Sequence, residues 1–273
     1  MFTSVQSTTV LRAPRAIWAH RNFISALVKR EFMTKYANSS LGAAWSVISP
    51  LVMMSMYALV FSQVMEVKLS SAVSGWGYVM HLFTGLLLWT LFSDVLMRTQ
   101  SMFPDYSNFL KKMKIHIGVV PVVVVLNVLV SWGIMAVLFF LFLTLGGYLG
   151  QVSFLHLGMA IFVVAVLAVG TGLILSTLNV FFRDIGQLVP VLLNVGFWAT
   201  PIVYPPSVLP GWALNILQHS PVFQLVDFAQ NSVVAGGSAS TNAIFIPLVW
   251  AIVAFVFGCL VLGRAKTDLV DQL

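Results

Sequence analysis

Apolar stretches of about 18 residues or more recur along this chain, and each is long enough to cross about 30 Å of hydrocarbon as an α-helix. Only 8% of the residues are charged, whereas roughly 25% are charged in soluble globular proteins. So few charges leave too little polar surface to keep a compact fold in water. Because backbone polar groups must be paired inside a bilayer, helices are required. The sequence therefore predicts an all-α polytopic membrane protein.

Six of these stretches are predicted to be membrane spans, and they divide the chain into three regions. The spans cover residues 41–61, 78–97, 117–145, 154–178, 188–204 and 243–262. Residues 1–40 form an N-terminal tail with an interfacial helix, residues 41–262 a six-span transmembrane domain, and residues 263–273 a C-terminal tail. Pro50 interrupts the first span, while Pro190 and Pro201 bracket the fifth, so both helices are expected to be bent or broken.

The basic residues predict the orientation of the chain. Of the 14 Lys and Arg residues, only Lys68 lies on the side opposite to the two termini. The positive-inside rule therefore places both termini in the cytoplasm. The same pattern explains the basic charge without a nucleic acid partner. The inner residues are Arg12, Arg15, Arg21, Lys29, Arg30, Lys35, Arg98, Lys111, Lys112, Lys114, Arg183, Arg264 and Lys266.

Two further segments carry apolar residues but are not predicted to span the membrane. Residues 15–36 predict an amphipathic helix in the inner interface, with its apolar stripe apart from most of its cations. The stripe consists of Trp18, Ile24, Leu27, Val28 and Phe32. Residues 205–241 are too long and too apolar for an ordinary loop, which predicts two short helices that dip back into the outer leaflet. A packed interfacial loop is the alternative.

The sequence contains none of the motifs that carry catalysis. It has no G-x-x-x-x-G-K-[ST] loop to hold phosphates and no soluble stretch large enough for an ATPase domain. Its five histidines show no metal-ligand spacing, and no Ser/His/Asp set can be argued. We expect no catalytic residue, metal or cofactor in this chain, and a partner that hydrolyses ATP if ATP is used. No acid lies clearly at mid-membrane, which disfavours an ion-driven transporter.

Two motifs stand out, LVKREFMTKYANSSLGAAWSVISPL from Leu27 to Leu51, and NVFFRDIGQ followed by FWATPIVYP between Leu178 and Pro205. They resemble the ABC-2 type permeases that export polysaccharides and teichoic acids, and most of all those of O-antigen and capsule-type glycan exporters. In the first, the matching residues are Lys29, Arg30, Glu31, Lys35, Tyr36, Ser39 or Ser40, Leu41, Gly42, Trp45 and Pro50. In the second, they are Asn179, Phe182, Arg183, Asp184, Thr200, Pro201, Tyr204 and Pro205.

The resemblance implies a homodimer of this chain in the bacterial cytoplasmic (inner) membrane, working with two copies of an ATP-binding cassette ATPase subunit. The implied substrate is a polysaccharide linked to polyprenyl diphosphate. It also implies that inner interfacial residues receive the movements of the ATPase. The candidates are Arg21, Lys29, Arg30, Glu31, Lys35, Arg98, Lys111, Lys112 and Lys114. For the three lysines, anionic membrane lipid or plain solvation is the alternative.

The resemblance further implies that the first and fifth spans line a channel for sugar. Aromatic rings suit such a channel because their faces stack on pyranose C–H groups without gripping any one unit. The candidates are Tyr57, Phe61, Phe197, Trp198 and Tyr204, although an aromatic belt at the interface also explains Tyr204. In the turn after the fourth span, Asn179, Arg183 and Asp184 are expected to be structural, with an Arg183–Asp184 ion pair that fixes the start of the fifth span.

Two other functions remain open from the sequence. An ABC-2 exporter of teichoic acid, another lipid or a small drug would share the architecture. A secondary transporter or a membrane scaffold without transport is the alternative from a different class.

Overall fold

The computed structural model describes residues 18–37, 39–65, 75–112, 117–234 and 240–272. Within these ranges the chain is helical and contains no strand, and we number eleven α-helices in chain order. They are α1 (Arg21–Tyr36), α2 (Trp45–Met65), α3 (Gly75–Gln100), α4 (Met102–Asp105), α5 (Ser107–Lys112), α6 (Val119–Leu145), α7 (Phe154–Phe181), α8 (Ile185–Ala199), α9 (Gly211–Leu217), α10 (Pro221–Val234) and α11 (Phe245–Gln272).

Four helical stretches are long and apolar enough to cross a membrane. They are Gly77–Gln100, Val119–Leu145, Phe154–Phe181 and Thr241–Ala265, which contain most of α3, α6, α7 and α11. They coincide with the second, third, fourth and sixth predicted spans, so these four predictions are confirmed. Two shorter apolar helices, Gly42–Met56 and Ile185–Ala199, coincide with the predicted first and fifth spans. That these two also cross the membrane stays a prediction.

The helix α3 is the centre of the bundle. In the apolar stretch of α3, 72% of the residues are buried, whereas in that of α11 only 22% are buried. Its side chains Leu82, Leu87, Leu88 and Leu91 are fully buried, since α6, α7, α8 and α10 all pack around it. The last helix, α11, packs chiefly against α7 and leaves most of its surface open.

Glycines set the distance between α7 and its two neighbours. A Cβ atom built on Gly170 would lie 2.4 Å from the backbone nitrogen of Phe255 in α11. A Cβ on Gly258 would lie 2.5 Å from the carbonyl oxygen of Gly170. On the side towards α3, a Cβ on Gly172 would lie 2.2 Å from the Thr99 hydroxyl oxygen. Small residues at such crossings let helix backbones approach closely in a membrane.

Two of the prolines lie inside continuous helices. Pro50 lies inside α2 and Pro190 inside α8, and neither ends its helix. Each lies at the sixth position of its helix, where the missing N–H removes one intrahelical hydrogen bond. The helix α8 ends at Ala199, just before Pro201. Neither helix is broken at its internal proline, and a bend at Pro50 or Pro190 stays a prediction.

The apolar segment after α8 forms two short helices, α9 and α10. The second of them packs against α3 and α7. Its buried side chains include Val222, Phe223, Leu225, Val226 and Phe228. The two helices therefore form a cap fixed to one end of the bundle, and their placement as re-entrant helices in the outer leaflet stays a prediction.

Candidate functional site

The helix α1 is bound to the side of α6. Ile24 and Leu27 of α1 are buried against Val119 and Val123 of α6. The charged side chains of Lys29 and Arg30 are exposed. Part of the predicted apolar stripe therefore packs against another helix of the chain, whereas Trp18 at the beginning of the stripe is 72% exposed.

One carboxylate joins α1 to two other segments. The amide nitrogen Nδ2 of Asn127 in α6 donates a hydrogen bond to Glu31 Oε2 at 2.6 Å. The hydroxyl of Tyr106, between α4 and α5, donates to Glu31 Oε1. We call these three residues the Glu31 cluster. Asn127 is only 7% exposed, so its amide has few other partners. The cluster ties α1 to the connection between α4 and α5 and to α6.

The surroundings of Tyr106 keep its hydroxyl a donor. Burial, together with the hydrogen bond to Glu31 and the charge of that carboxylate, raises the pKa of Tyr106 well above its ordinary value. Beside it, the Arg30 guanidinium carbon lies 5.6 Å from the centroid of the Phe109 ring, a distance typical of a cation–π contact. Arg30 of α1 is therefore bound to α5, as Glu31 is bound to Tyr106.

The other predicted coupling residues lie at the same end of the bundle. Lys35 and Arg98 both act electrostatically on Asp94, which brings α1 and the end of α3 into one charged cluster. Arg21 interacts with the nearby Trp18. Its guanidinium donates to the Trp18 carbonyl oxygen at 3.2 Å and lies over the Trp18 ring. Lys29, Lys35, Arg98 and Lys111 are exposed. The side chain of Lys112 and the whole of Lys114 lie outside the described residues.

Asn179 fixes the turn between α7 and α8. Its Nδ2 donates to the Gln100 carbonyl oxygen at 2.9 Å, and its Oδ1 accepts from the Gly186 amide at 3.0 Å. Asp184 takes the N-cap position of α8, but its side chain makes no capping hydrogen bond. Asp184 and Arg183 are both exposed, so their ion pair stays a prediction. The structural role expected of this turn falls on Asn179, which also ties it to the end of α3.

Replacing Asn179 by alanine is expected to destabilise the inner end of the bundle by about 2 kcal/mol, because two hydrogen bonds are lost in a site that is only 8% exposed. Thermal unfolding in detergent measures the change. The control is Asn242→Ala, which truncates an exposed asparagine before α11. Equal melting temperatures of the two variants would contradict the role given to Asn179.

The predicted channel aromatics do not share one environment. Phe197 packs edge-to-face on Trp89 of α3, with ring centroids 5.9 Å apart, and thus helps to hold α8 on the bundle. Trp198 is 59% exposed, and its carbonyl oxygen accepts a hydrogen bond from the Tyr204 hydroxyl. The backbones of Tyr57 and Phe61 lie in α2, but their side chains lie outside the described residues. Of the described candidates, Trp198 is the most open.

The exposed face of α8 mixes apolar and polar side chains. Its exposed apolar members are Leu188, Val191, Leu192, Val195 and Trp198. Gln187 and Asn194 lie among them and are also exposed. The exposed residues of α11 from Phe245 to Leu260 are, in contrast, all apolar, as expected of a helix in contact with lipid. The helix α2 resembles α8, since Ser49 and Ser55 are exposed between its apolar residues.

At the opposite end of the bundle, Gln230 holds the cap in place. Its Nε2 donates to the carbonyl oxygens of Pro201 at 2.8 Å and of His81 at 3.2 Å. Nearby, the Tyr78 hydroxyl donates to the Val203 carbonyl oxygen at 2.9 Å. A Cβ on Gly85 would lie 2.7 Å from Gln230 Nε2, so only glycine leaves room for this amide.

Tyr106, Asn127 and Gln230 were not among the residues predicted from the sequence. A signal was available for Asn127, which is the one polar residue in the run VVPVVVVLNVLV. An isolated amide in a span indicates a polar partner. No comparable signal marks Tyr106 or Gln230, because their partners are distant in sequence.

A bundle of apolar helices with a basic end, a cap at the other end and polar side chains on the open faces of α2 and α8 defines a polytopic membrane protein. The chain matches the ABC-2 type transporter family over residues 22–233 and belongs to it, which confirms the resemblance found in its motifs.

Relatives of this chain include exporters of surface glycans. It is 31% identical over 205 residues to the O-antigen export system permease protein RfbA of Myxococcus xanthus, covering 73% of this chain and 75% of the relative. It is 25% identical over 260 residues to RfbA of Klebsiella pneumoniae, covering 92% and 95%. With the polysialic acid transport protein KpsM of Escherichia coli it shares 20% identity over 214 residues, covering 78% and 81%.

Proposed function

We propose that this chain is the permease subunit of an ABC exporter that moves polysaccharide of the O-antigen type across the bacterial cytoplasmic membrane. Its family and its similarity to O-antigen export permeases support this assignment. Two copies of the chain work with two ATPase subunits, and the polysaccharide is linked to polyprenyl diphosphate. Six spans cross the membrane in each copy, and both termini are cytoplasmic.

The exposed face of α8 is the observation that carries the proposal. A side-chain amide such as that of Asn194 is costly against hydrocarbon, whereas it is stabilised by water or by hydroxyl groups. A second copy placed opposite α8 and α2 would enclose these polar groups in a channel. Trp198 then offers sugar units a ring face, with Tyr57, Phe61 and Tyr204 as further candidates.

The inner end of each copy receives the force of the ATPase. Lys29, Lys35, Arg98 and Lys111 supply exposed positive charge there, for an acidic surface of the ATPase or for the diphosphate of the substrate. Movement of α1 reaches α6 through the Glu31 cluster, because Ile24, Leu27 and Glu31 all contact that helix or its inner connection. The cap of α9 and α10 covers the outer end of the channel.

Purification tests the assignment. The chain is coexpressed with the ATP-binding subunit encoded beside it, and ATPase activity is measured in lipid nanodiscs with and without lipid-linked glycan. We expect the ATPase to copurify and its activity to respond to the glycan. A chain that purifies without an ATPase would overturn the ABC assignment, and stimulation by small drugs instead of glycan would favour a drug exporter.

Two substitutions on the open face of α8 test the channel. Trp198→Ala and Asn194→Leu are each expected to lower glycan export about tenfold, because loss of a stacking or polar contact costs about 1 kcal/mol or more. Export into vesicles measures this. The control is Trp250→Ala, which removes a 52% exposed tryptophan from the apolar face of α11. If the control lowers export as much, the open face of α8 is not the path.

A further inference from the structure

A cavity of about 540 Å³ lies between α9, α10 and the start of α11. Five polar side chains line it: Gln218, Gln224, Asp227, Asn231 and Ser240. A second cavity of similar volume, about 550 Å³, lies between α1 and α6 and is lined mostly by apolar side chains. The first, which we call the α10 cavity, is therefore the one whose lining suits a polar ligand.

The hydrogen bonds within the α10 cavity leave acceptors for a ligand. Asn231 Nδ2 donates to Asp227 Oδ2 at 3.2 Å, and Gln224 Nε2 donates to the Gln218 carbonyl oxygen at 2.8 Å. The amide nitrogens of Asn231 and Gln224 therefore already donate hydrogen bonds within the protein. The Gln224 Oε1 atom is buried and has no hydrogen-bond partner among the described residues. A ligand that donates hydrogen bonds, such as one with hydroxyl groups, finds an acceptor in the Asp227 carboxylate, and Gln224 Oε1 becomes a second one when its side chain turns towards the ligand.

The charge of the described lining of the α10 cavity disfavours acidic ligands. Among the described residues that line it, Asp227 is acidic and none is Lys, Arg or His. The sequence has no Lys or Arg between Arg183 and Arg264, so no such side chain from this part of the chain can reach it. An acidic sugar would place a like charge beside Asp227, and no cation among these lining residues would offset it, which is unfavourable. A neutral sugar meets no such penalty.

The size and the apolar walls of the cavity fit the same ligand. Small-molecule sites usually have volumes of about 300–1,000 Å³, so this one has room for about one or two sugar units. Phe223 and Phe228 form part of its wall. Aromatic side chains beside hydroxyl acceptors match a sugar ring, which has apolar C–H faces and a polar edge.

We propose that the α10 cavity binds neutral, hydroxyl-rich sugar units of the exported polysaccharide and favours uncharged glycans over acidic ones. The inference rests on the proposed function, which supplies the glycan and places this end of the bundle at the exit. It also distinguishes the substrate of this chain from polysialic acid, the substrate in the name of the related polysialic acid transport protein KpsM. The selecting residues are Asp227 and Gln224.

The test is saccharide binding to the complex of this chain with its ATPase, held in nanodiscs. The probes are a neutral mannose hexasaccharide and a sialic acid hexasaccharide, and saturation-transfer NMR measures their affinities. We expect the neutral probe to bind at least about tenfold more tightly, and Asp227→Ala to weaken it about tenfold. Gln224→Leu is a second variant that leaves the carboxylate in place, and we expect it to weaken binding in the same direction.

The matched control is Asn108→Ala, an exposed residue of α5 at the other end of the bundle, which should leave binding unchanged. Equal affinities for the two probes, or Asp227 and Gln224 variants that bind like the control, would overturn the proposal. Lipid-linked neutral glycan should displace the hexasaccharide, and failure to displace it would show that the exported glycan does not occupy the cavity. Either failure leaves copurification with the ATPase, and so the proposed function, intact.

Discussion

Replacing Glu31 by alanine is expected to lower the amount of glycan exported per ATP hydrolysed by at least about tenfold. The change removes the acceptor of two hydrogen bonds, and bonds to a charged group contribute about 1.5–3 kcal/mol each. It also leaves the buried amide of Asn127 without the Glu31 carboxylate that accepts its hydrogen bond. Ile24 and Leu27 still hold α1 on α6, but the polar connection to the inner turn is lost. Parallel assays of ATP hydrolysis and export in vesicles measure the ratio.

A double-mutant cycle separates this role from general destabilisation. Tyr106→Phe removes only the hydroxyl that donates to Glu31, so its effect on the ratio should be largely absent in the Glu31→Ala background. The matched control is Tyr148→Phe, in the connection between α6 and α7. Additive effects of Glu31→Ala and Tyr106→Phe, or an unchanged ratio in both, would argue against coupling through the Glu31 cluster.

Replacing Gly170 by valine should have the largest effect on stability. The first added carbon would lie 2.4 Å from the backbone of Phe255, and a backbone atom cannot move aside as a side chain does. α7 and α11 must separate, which costs about 3 kcal/mol or more. We expect little folded protein, measured as the monodisperse fraction after detergent extraction and by the melting temperature of what remains.

Gly158 supplies the control within the same helix. A Cβ atom at Gly158 meets no atom within 4 Å, so Gly158→Val adds the same side chain to α7 without a clash. Valine also has a higher helix propensity than glycine. We therefore expect this variant to extract and melt like the unchanged protein. If both variants fail alike, the cause is valine in α7 and not the contact with α11.

The sequence predicted long elements better than local contacts. The spans that form most of α3, α6, α7 and α11 were predicted within a few residues, because the length of an apolar run and the thickness of a bilayer are both visible without a structure. The two helices of the cap were expected for the same reason. Asn179, Arg183 and Asp184 were all predicted to be structural in the turn after α7; the hydrogen bonds of Asn179 are described, and the Arg183–Asp184 ion pair stays a prediction.

The sequence predicted which residues belong to the candidate site, but it did not predict which of them contact each other. Glu31 was grouped with the cations around it as a surface for the ATPase, and its carboxylate instead contacts Tyr106 and Asn127 within the chain. Phe197 and Trp198 were predicted as equivalent aromatics, yet one packs on Trp89 and the other is exposed. Adjacent residues on a helix point about 100° apart, so which of them faces the bundle depends on where α3 lies.

The sequence by itself determined that this chain is a membrane permease of the ABC-2 type, because hydropathy, charge asymmetry and two motifs are properties of the chain read in order. Only the tertiary structure decided which polar groups meet. Glu31 and Asn127 are 96 residues apart, and Gln230 and His81 are 149 residues apart. Such pairs follow from the packing of helices around α3, where the glycines of α7 set the distances at which backbones approach.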